Sequence, residues 1–385
     1  MKPKVWQLAY LIGFVIIIAF FMLELIGIHV GANFVAYADL IGGVLLIGGA
    51  CEAFVISVEG IALNYKMTDY VSGIYASLAS TIPELSVIAF LLIGQKYELA
   101  WVLALATIFM NSLVFAVYTL ILPKDENGNY KLPDAINWVG SELLSMGAVI
   151  SLSVGLSMLM VFVFALENPL LPRHLEAGEL FVFGGALIGV YIAYLYWITK
   201  YYGSDVTEDR LEKHEQHHPL SRKMLGIYLL IASAGALLGG EALSGFAHFT
   251  TESLHLSFIH AALLLVIFGG TPEYIIVASS HRKEQIDVAL SNAFGGIVQV
   301  FFVIFGFTLI AGGFSAVISG VTQVIPIDLF SVVLLFFAFP SMFILRVIIT
   351  DDSSVNALES ISMIAVFVMM LYILLMYGIY PIPTG

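Results

Sequence analysis

The stretches YASLASTIPELSVIAF (residues 75–90) and LLLVIFGGTPEYIIVAS (residues 263–279) decide the fold. Each sets a glutamate, Glu84 or Glu273, directly after a proline in the middle of a long apolar run. The two glutamates lie 189 residues apart, and the same offset pairs Glu52-Ala53 with Glu241-Ala242, Ala104 with Ala293, and Thr119-Leu120-Ile121 with Thr308-Leu309-Ile310. An ionised side chain at the centre of a bilayer costs about 3 kcal/mol on insertion scales, so it marks an ion or substrate pathway by default. Two at matching points of a duplicated chain mark the centre of a transporter built from repeats.

Outward from these motifs the chain is apolar almost everywhere. Hydrophobic residues make up 60% and charged residues 11%, far from soluble averages. Eleven runs are long enough to cross ~30 Å of hydrocarbon: 5–28, 37–63, 70–93, 98–122, 138–166, 178–201, 224–248, 256–280, 286–312, 326–350 and 357–380. The expected fold is an all-α polytopic membrane protein of about eleven transmembrane helices, with no room for a sizeable soluble domain. The first apolar run follows Lys2 and Lys4 but outlasts a signal-peptide core and lacks a small-x-small cleavage site, so it is read as a retained helix. Cys51, the single cysteine, rules out an internal disulfide and leaves the redox compartment unread. The net charge of −13 argues against a nucleic-acid partner; the expected partner is the lipid bilayer.

With the N-terminus placed inside and the spans alternating, thirteen Lys and Arg fall on inner segments, while only Lys96 and Arg173 fall on outer ones. That bias is the positive-inside pattern. The expected location is the plasma membrane of a prokaryote-like cell, with a cytoplasmic N-terminus. The longest polar break, from Gly203 to Lys223, then lies inside. It separates a peripheral N-terminal helix (1–36) and a first five-helix repeat (37–201) from a second five-helix repeat (224–385), with 202–223 as the charged loop. Because five is odd, the second repeat enters from the opposite side, and the repeats are inverted. Pro123–Asp134 reads as an ordinary polar inner loop.

A proline inside a helix has no N–H for the carbonyl four residues back. Pro83 therefore releases the carbonyl of Ala79, and Pro272 that of Phe268. Ser80, Thr81, Gly269, Gly270 and Thr271 make the flanking backbone more polar and more bendable. Two carboxylates with released carbonyls and hydroxyls form an all-oxygen set, which suits hard cations such as Ca²⁺. No Cys or His adjoins either motif in sequence, which disfavours a soft metal. The bland alternative is a pair of kinked helices whose glutamates bond to neighbours.

STIPEL and GGTPEY resemble the signature of the calcium/cation antiporter superfamily, whose two α-repeats each carry an essential glutamate on a broken helix. KEQIDVALSNAFGGIVQVFF (residues 283–302) resembles the second α-repeat of the cation/proton exchanger branch, its Gly-Ser-x-x-Gln core matched by Gly295, Gly296 and Gln299. In the first repeat the family's Gly-Ser-x-x-Ser-Asn core falls on Ala106, Thr107 and Asn111. The resemblance covers most of residues 37–312, with α-repeat motifs at 72–122 and 261–312. The eleven-helix plan and charged central loop fit the same branch. The family's Gly-Asn or Gly-Thr-Ser-Leu before the acid reads Ala79-Ser80-Thr81-Ile82 and Phe268-Gly269-Gly270-Thr271 here, a departure that bears on the counter-ion and the coordination.

The resemblance implies a secondary active antiporter, not an enzyme, moving Ca²⁺ held by Glu84 and Glu273 against H⁺, with Na⁺ as the alternative counter-ion. Pro-Glu in both repeats is also the sodium/calcium exchanger spelling. No cofactor is implied. Asn111 and Gln299 are candidate neutral ligands; the alternative is interhelical hydrogen bonding, the common use of membrane amides. Ala79, Ser80, Thr81, Phe268, Gly269 and Thr271 are candidate backbone or hydroxyl ligands. Glu52 and Glu59, seven apart on one helix face, and Glu241 are candidate proton or cation relays, against a reading as membrane-end or hydrogen-bonded groups. Glu24 is read as structural near the outer surface, and Asp287 as an acid at a helix start. His214-Glu215-Gln216-His217-His218 matches His-Glu-x-x-His formally, but Pro219 follows at once, so a solvated loop is favoured over an intramembrane metalloprotease. An ion channel is disfavoured because it needs no glutamate pair on inverted broken helices.

Overall fold

The computed structural model describes the chain apart from residues 1–3, 29, 66, 135, 169–172, 203–220, 283, 322–323 and 378–385. Among the described residues are eleven helices long and apolar enough to cross a membrane: Val5–Leu25, Ala32–Asn64, Val71–Ile93, Tyr97–Ile121, Ile136–Glu167, Ala177–Tyr201, Arg222–Glu252, Phe258–Arg282, Ile286–Ser319, Leu329–Asp351 and Ala357–Met376. Each overlaps one span expected from the sequence. Helices are forced by the solvent: with no water in hydrocarbon, backbone N–H and C=O groups must pair within the segment.

The third and eighth spans are each two half-helices. Asp69–Ser80 stops at Thr81 before Ile82–Ile93, and Phe258–Gly269 stops at Gly270 before Thr271–Arg282. The two break residues differ by the same 189 positions as the glutamates. Each break lies two residues before a proline, where the missing N–H weakens the ladder.

The chain forms two compact units. The first comprises Met1–Phe90, Trp197–Leu256 and Leu264–Gly295; the second comprises Leu91–Tyr196, Ser257–Leu263 and Gly296–Gly385. Each unit draws on both halves of the sequence, so compactness does not follow the linear division at the charged loop.

In the first unit the second and seventh spans cross closely. A Cβ at Gly43 would lie 3.1 Å from the Gly239 carbonyl oxygen, and a Cβ at Gly239 would lie 3.0 Å from that of Gly43. Small residues permit such approach, and dispersion rather than hydrophobic exclusion holds helices together in lipid. Beside this crossing, a Cβ at Gly240 would meet the Val87 nitrogen at 3.0 Å, while Cys51 packs in a buried cluster with Val55, Ala76 and Ile276. The offset of 189 maps Cys51 onto Gly240 and Val87 onto Ile276, so one packing arrangement occurs twice.

The second unit contains two short antiparallel strand pairs. Asn129–Lys131 pairs with Ser354–Asn356, and His174–Leu175 pairs with Ile325–Pro326. The first pair joins the connections after the fourth and tenth spans; the second joins those after the fifth and ninth. Alternating spans put the members of each pair on one side of a membrane, as pairing requires. Residues 123–134 are thus more than the plain loop expected: part of this connection is a three-residue strand, too short to leave a sequence signal. The ninth span passes through a π-helical segment, Val300–Phe305, immediately after Gln299.

Candidate functional site

Both glutamates fall in the first unit, each in the first turn of the half-helix that follows its break. Unpaired N–H groups at a helix start carry partial positive charge, which favours a carboxylate there. The preceding half-helices end at Ser80 and Gly269, and their last carbonyls carry the opposite partial charge. Each break therefore sets a carboxylate at one helix start beside the partial negative charge of the half-helix end before it.

Glu273 is 5% exposed. Its Oε1 lies 3.4 Å from the Ser80 hydroxyl, which also donates to the Ser77 carbonyl at 2.7 Å. Ser77 in turn donates to the Asn292 carbonyl at 3.4 Å. These contacts link the third, eighth and ninth spans through polar groups within one unit. Glu84 is half-buried, yet its Oε2 is fully buried and has no hydrogen-bond partner among the described residues. The charge of Glu273 acts on Glu84. Two like charges in an apolar surrounding repel strongly, and a buried polar oxygen without a partner is costly. A cation resolves both.

The remaining candidates are placed as follows. Ala79, Ser80 and Thr81 are buried at the first break, Gly269 is buried at the second, and Phe268 and Thr271 are half-buried there. Among these hydroxyls Ser80 reaches a carboxylate, that of Glu273, whereas Thr81 bonds the Leu78 carbonyl at 2.8 Å and Thr271 the Ile267 carbonyl at 2.8 Å. The carbonyl of Ala79, expected to be released by Pro83, receives the Thr81 N–H at the end of the half-helix together with that of Ser77. Glu52 is half-buried and Glu59 exposed. Glu241 lines a cavity of about 540 Å³ with Asp39 and Glu24, so Glu24, expected to be structural, shares a cavity with two further carboxylates. Asn111 and Gln299 are buried and belong to the second unit. Asp287 stands in the first turn of Ile286–Gln299, as read from the sequence. Residues 214–218, the His-rich motif, lie outside the described residues.

Two neighbours of the pair were not singled out by sequence reasoning. The Cys51 thiol is buried and feels the charges of Glu273, Glu52 and Glu84. The absence of a cysteine beside the motifs in sequence does not hold in space. The Tyr274 hydroxyl is buried and feels both Glu84 and Glu273. Adjacency to Glu273 was its only sequence signal. Among the described residues no group of three or more His, Cys, Asp or Glu is arranged to hold a metal ion. Any cation at the pair therefore needs hydroxyl, carbonyl or amide oxygens in addition.

Comparisons with known proteins find one family model and several solved structures similar to the chain. Residues 224–376 match the family described as sodium/calcium exchanger protein. No curated protein sequence matches the chain. Among solved structures, the H⁺/Ca²⁺ exchanger CAX is similar, with a TM-score of 0.70 at 14% identity over 97% of this chain and 92% of that one. The sodium-calcium exchanger NCX_Mj soaked with 100 mM Na⁺ and 10 mM Sr²⁺ gives a TM-score of 0.56 at 14% identity over 88% of this chain and 98% of that one. The same protein soaked with 2.5 mM Na⁺ and 10 mM Sr²⁺ gives 0.56 at 15% identity over 88% and 98%. At such identities the likeness is one of fold. The superfamily resemblance drawn from the two carboxylate motifs agrees with both comparisons.

Proposed function

We propose that this chain is a member of the calcium/cation antiporter superfamily and works as a secondary active antiporter that exchanges Ca²⁺ for H⁺ by alternating access. One observation carries the reading. Glu84 and Glu273 lie in one unit within Coulombic reach, each at the start of a half-helix. They supply the two negative charges that neutralise one Ca²⁺. The orphaned Glu84 oxygen and the Ser80 hydroxyl beside Glu273 supply oxygen donors of the kind Ca²⁺ takes at 2.3–2.6 Å. Asn111 and Gln299 are candidate ligands on their motif positions alone.

Exchange follows from charge. An empty, doubly ionised pair is too costly to carry between the two access states in a medium of low dielectric. One Ca²⁺ neutralises it, and so do two protons. Substrate and counter-ion then compete for the same carboxylates, and neither crosses unless the other returns. Glu52, Glu59 and Glu241 are candidate relays that exchange ions with the pair.

Gln299 and the eleven-span plan favour H⁺ as the counter-ion, as does similarity to an H⁺/Ca²⁺ exchanger over 97% of the chain. Sodium is the second reading, favoured by Pro-Glu in both motifs and by the sodium/calcium exchanger match over 224–376. Radiolabelled Ca²⁺ efflux from proteoliposomes tests the exchange itself: efflux requires a counter-ion on the opposite side. Efflux that proceeds at full rate with no exchangeable ion outside contradicts antiport.

A further inference from the structure

The pair at the two breaks is not served equally by both halves of the chain. Tyr274 follows Glu273, and at the offset of 189 the corresponding residue after Glu84 is Leu85. Likewise Gly270 stands in the second half where Thr81 stands in the first. These two differences belong together. The Cα–Cβ bonds of a helix lean toward its N-terminus, so a side chain covers the turn before its own residue. The phenol of Tyr274 accordingly folds back over the break. A Cβ built on Gly270 would lie 2.6 Å from the Tyr274 hydroxyl oxygen and 2.9 Å from the adjoining ring carbon. Only a residue without Cβ leaves room for the hydroxyl there. The backbone fixes the same turn, with the Tyr274 N–H bonding the Gly270 carbonyl at 3.3 Å.

The position carries a cost that packing alone does not explain. The hydroxyl is buried and has no hydrogen-bond partner among the described residues, as does Glu84 Oε2. Buried phenols ordinarily find a partner, and leaving one unmade costs about 1–3 kcal/mol. Both orphaned oxygens sit within the field of the same pair of carboxylates, because the charges of Glu84 and Glu273 both act on the phenol. No cluster of three acidic, His or Cys side chains completes a metal shell among the described residues, so a cation at the pair calls for neutral oxygens beyond the Ser80 hydroxyl.

We infer that the Tyr274 hydroxyl is a neutral oxygen ligand to the cation held by Glu84 and Glu273, seated by Gly270 and supplied by the second half of the chain alone. This rests on the antiporter reading above. It gives Gly270 a role as a positioning residue and makes the two ends of the inverted pair chemically unequal.

Equilibrium binding of radiolabelled Ca²⁺ to the purified full chain tests it, with Glu84→Gln, Tyr274→Phe, Gly270→Ala and the Tyr274→Phe/Gly270→Ala double variant. Tyr274→Phe keeps the ring and removes one oxygen. It should not lower the thermal midpoint, since an unpartnered hydroxyl is removed, and it should weaken Ca²⁺ binding about 5-fold, the equivalent of one ordinary polar contact. Gly270→Ala should weaken binding as well, and the double variant should be no weaker than Tyr274→Phe, because both changes act on one hydroxyl. Unchanged Ca²⁺ affinity in Tyr274→Phe overturns the ligand, and losses that add in the double variant overturn the role of Gly270. If wild type binds no Ca²⁺, or Glu84→Gln binds it as wild type does, the antiporter reading falls and takes this inference with it. That outcome is distinct from one in which Glu84→Gln alone loses binding.

Discussion

The Ser80 hydroxyl lies 3.4 Å from Oε1 of Glu273, a residue 193 positions further along the chain. This contact joins the end of one half-helix to the start of another and brings the two broken spans together at their polar points. It also orders the contributions. Carboxylates provide the charge that pairs with a cation, and hydroxyls tune where that charge sits.

Glu84→Gln and Glu273→Gln should each abolish Ca²⁺ transport while the protein still folds. Each glutamate supplies half of the neutralising charge, and glutamine keeps the shape. Uptake into proteoliposomes, with size-exclusion profiles as the folding control, measures this; full transport by either variant contradicts the paired-carboxylate site.

Ser80→Ala should be milder. At 3.4 Å the bond to Glu273 is at the long end of the useful range. Its loss should raise the Ca²⁺ half-saturation concentration no more than about 5-fold. Ala at Asn111 or Gln299 should also weaken apparent affinity less than loss of a carboxylate. Concentration curves identical to wild type at both amides assign them to packing.

Much of this was legible in the sequence, for identifiable reasons. Runs of twenty apolar residues have one stable form in hydrocarbon, so all eleven spans could be read. Pro83 and Pro272 cannot complete a helical ladder, so a loosened backbone around Ala79 and Phe268 could be read, while the stops at Thr81 and Gly270 come from the structure. Tyr274, Cys51 and Asp39 were out of reach. Their roles depend on side-chain direction or on neighbours distant in sequence, and Cys51 feels Glu273 only because the second span packs against Ile276 of the eighth. The two-residue strand at His174–Leu175 is shorter than any periodicity can reveal.

Replacing His214, His217 and His218 by Ala should leave counter-ion-driven transport intact. The motif is followed at once by Pro219, which ends any helix there, and it lies apart from both glutamate motifs in sequence. Transport assays on the triple variant check this. Complete loss of flux in a well-folded triple variant would revive a metal role for the loop.

His174 predicts an acid-side loss of stability that is independent of transport. It pairs with Pro326 in a connection between spans, and burial pulls its imidazole below the ordinary value of 6.5, against an opposing pull from Asp328. The folded state thus binds a proton less readily than the unfolded state. Stability is fully present above 6.5 and is lost as pH falls through the lower folded value. Thermal unfolding in detergent, compared with His174→Gln, should show a midpoint that drops more steeply on acidification in the wild type. Parallel pH profiles for the two proteins rule this out.

The most direct test of the account is Ca²⁺ accumulation by reconstituted vesicles under an imposed pH gradient with no Na⁺ present, repeated with the Ca²⁺-loading side made more acidic. Protons and Ca²⁺ compete for Glu84 and Glu273. Uphill Ca²⁺ uptake should therefore be driven by the pH gradient alone, with a half-saturation concentration that rises as the loading side is acidified, and Glu84→Gln should show no uptake. Uptake that requires a Na⁺ gradient and ignores pH contradicts proton exchange and moves the same glutamate pair to a sodium/calcium cycle. Uptake that survives in Glu84→Gln contradicts the pair itself.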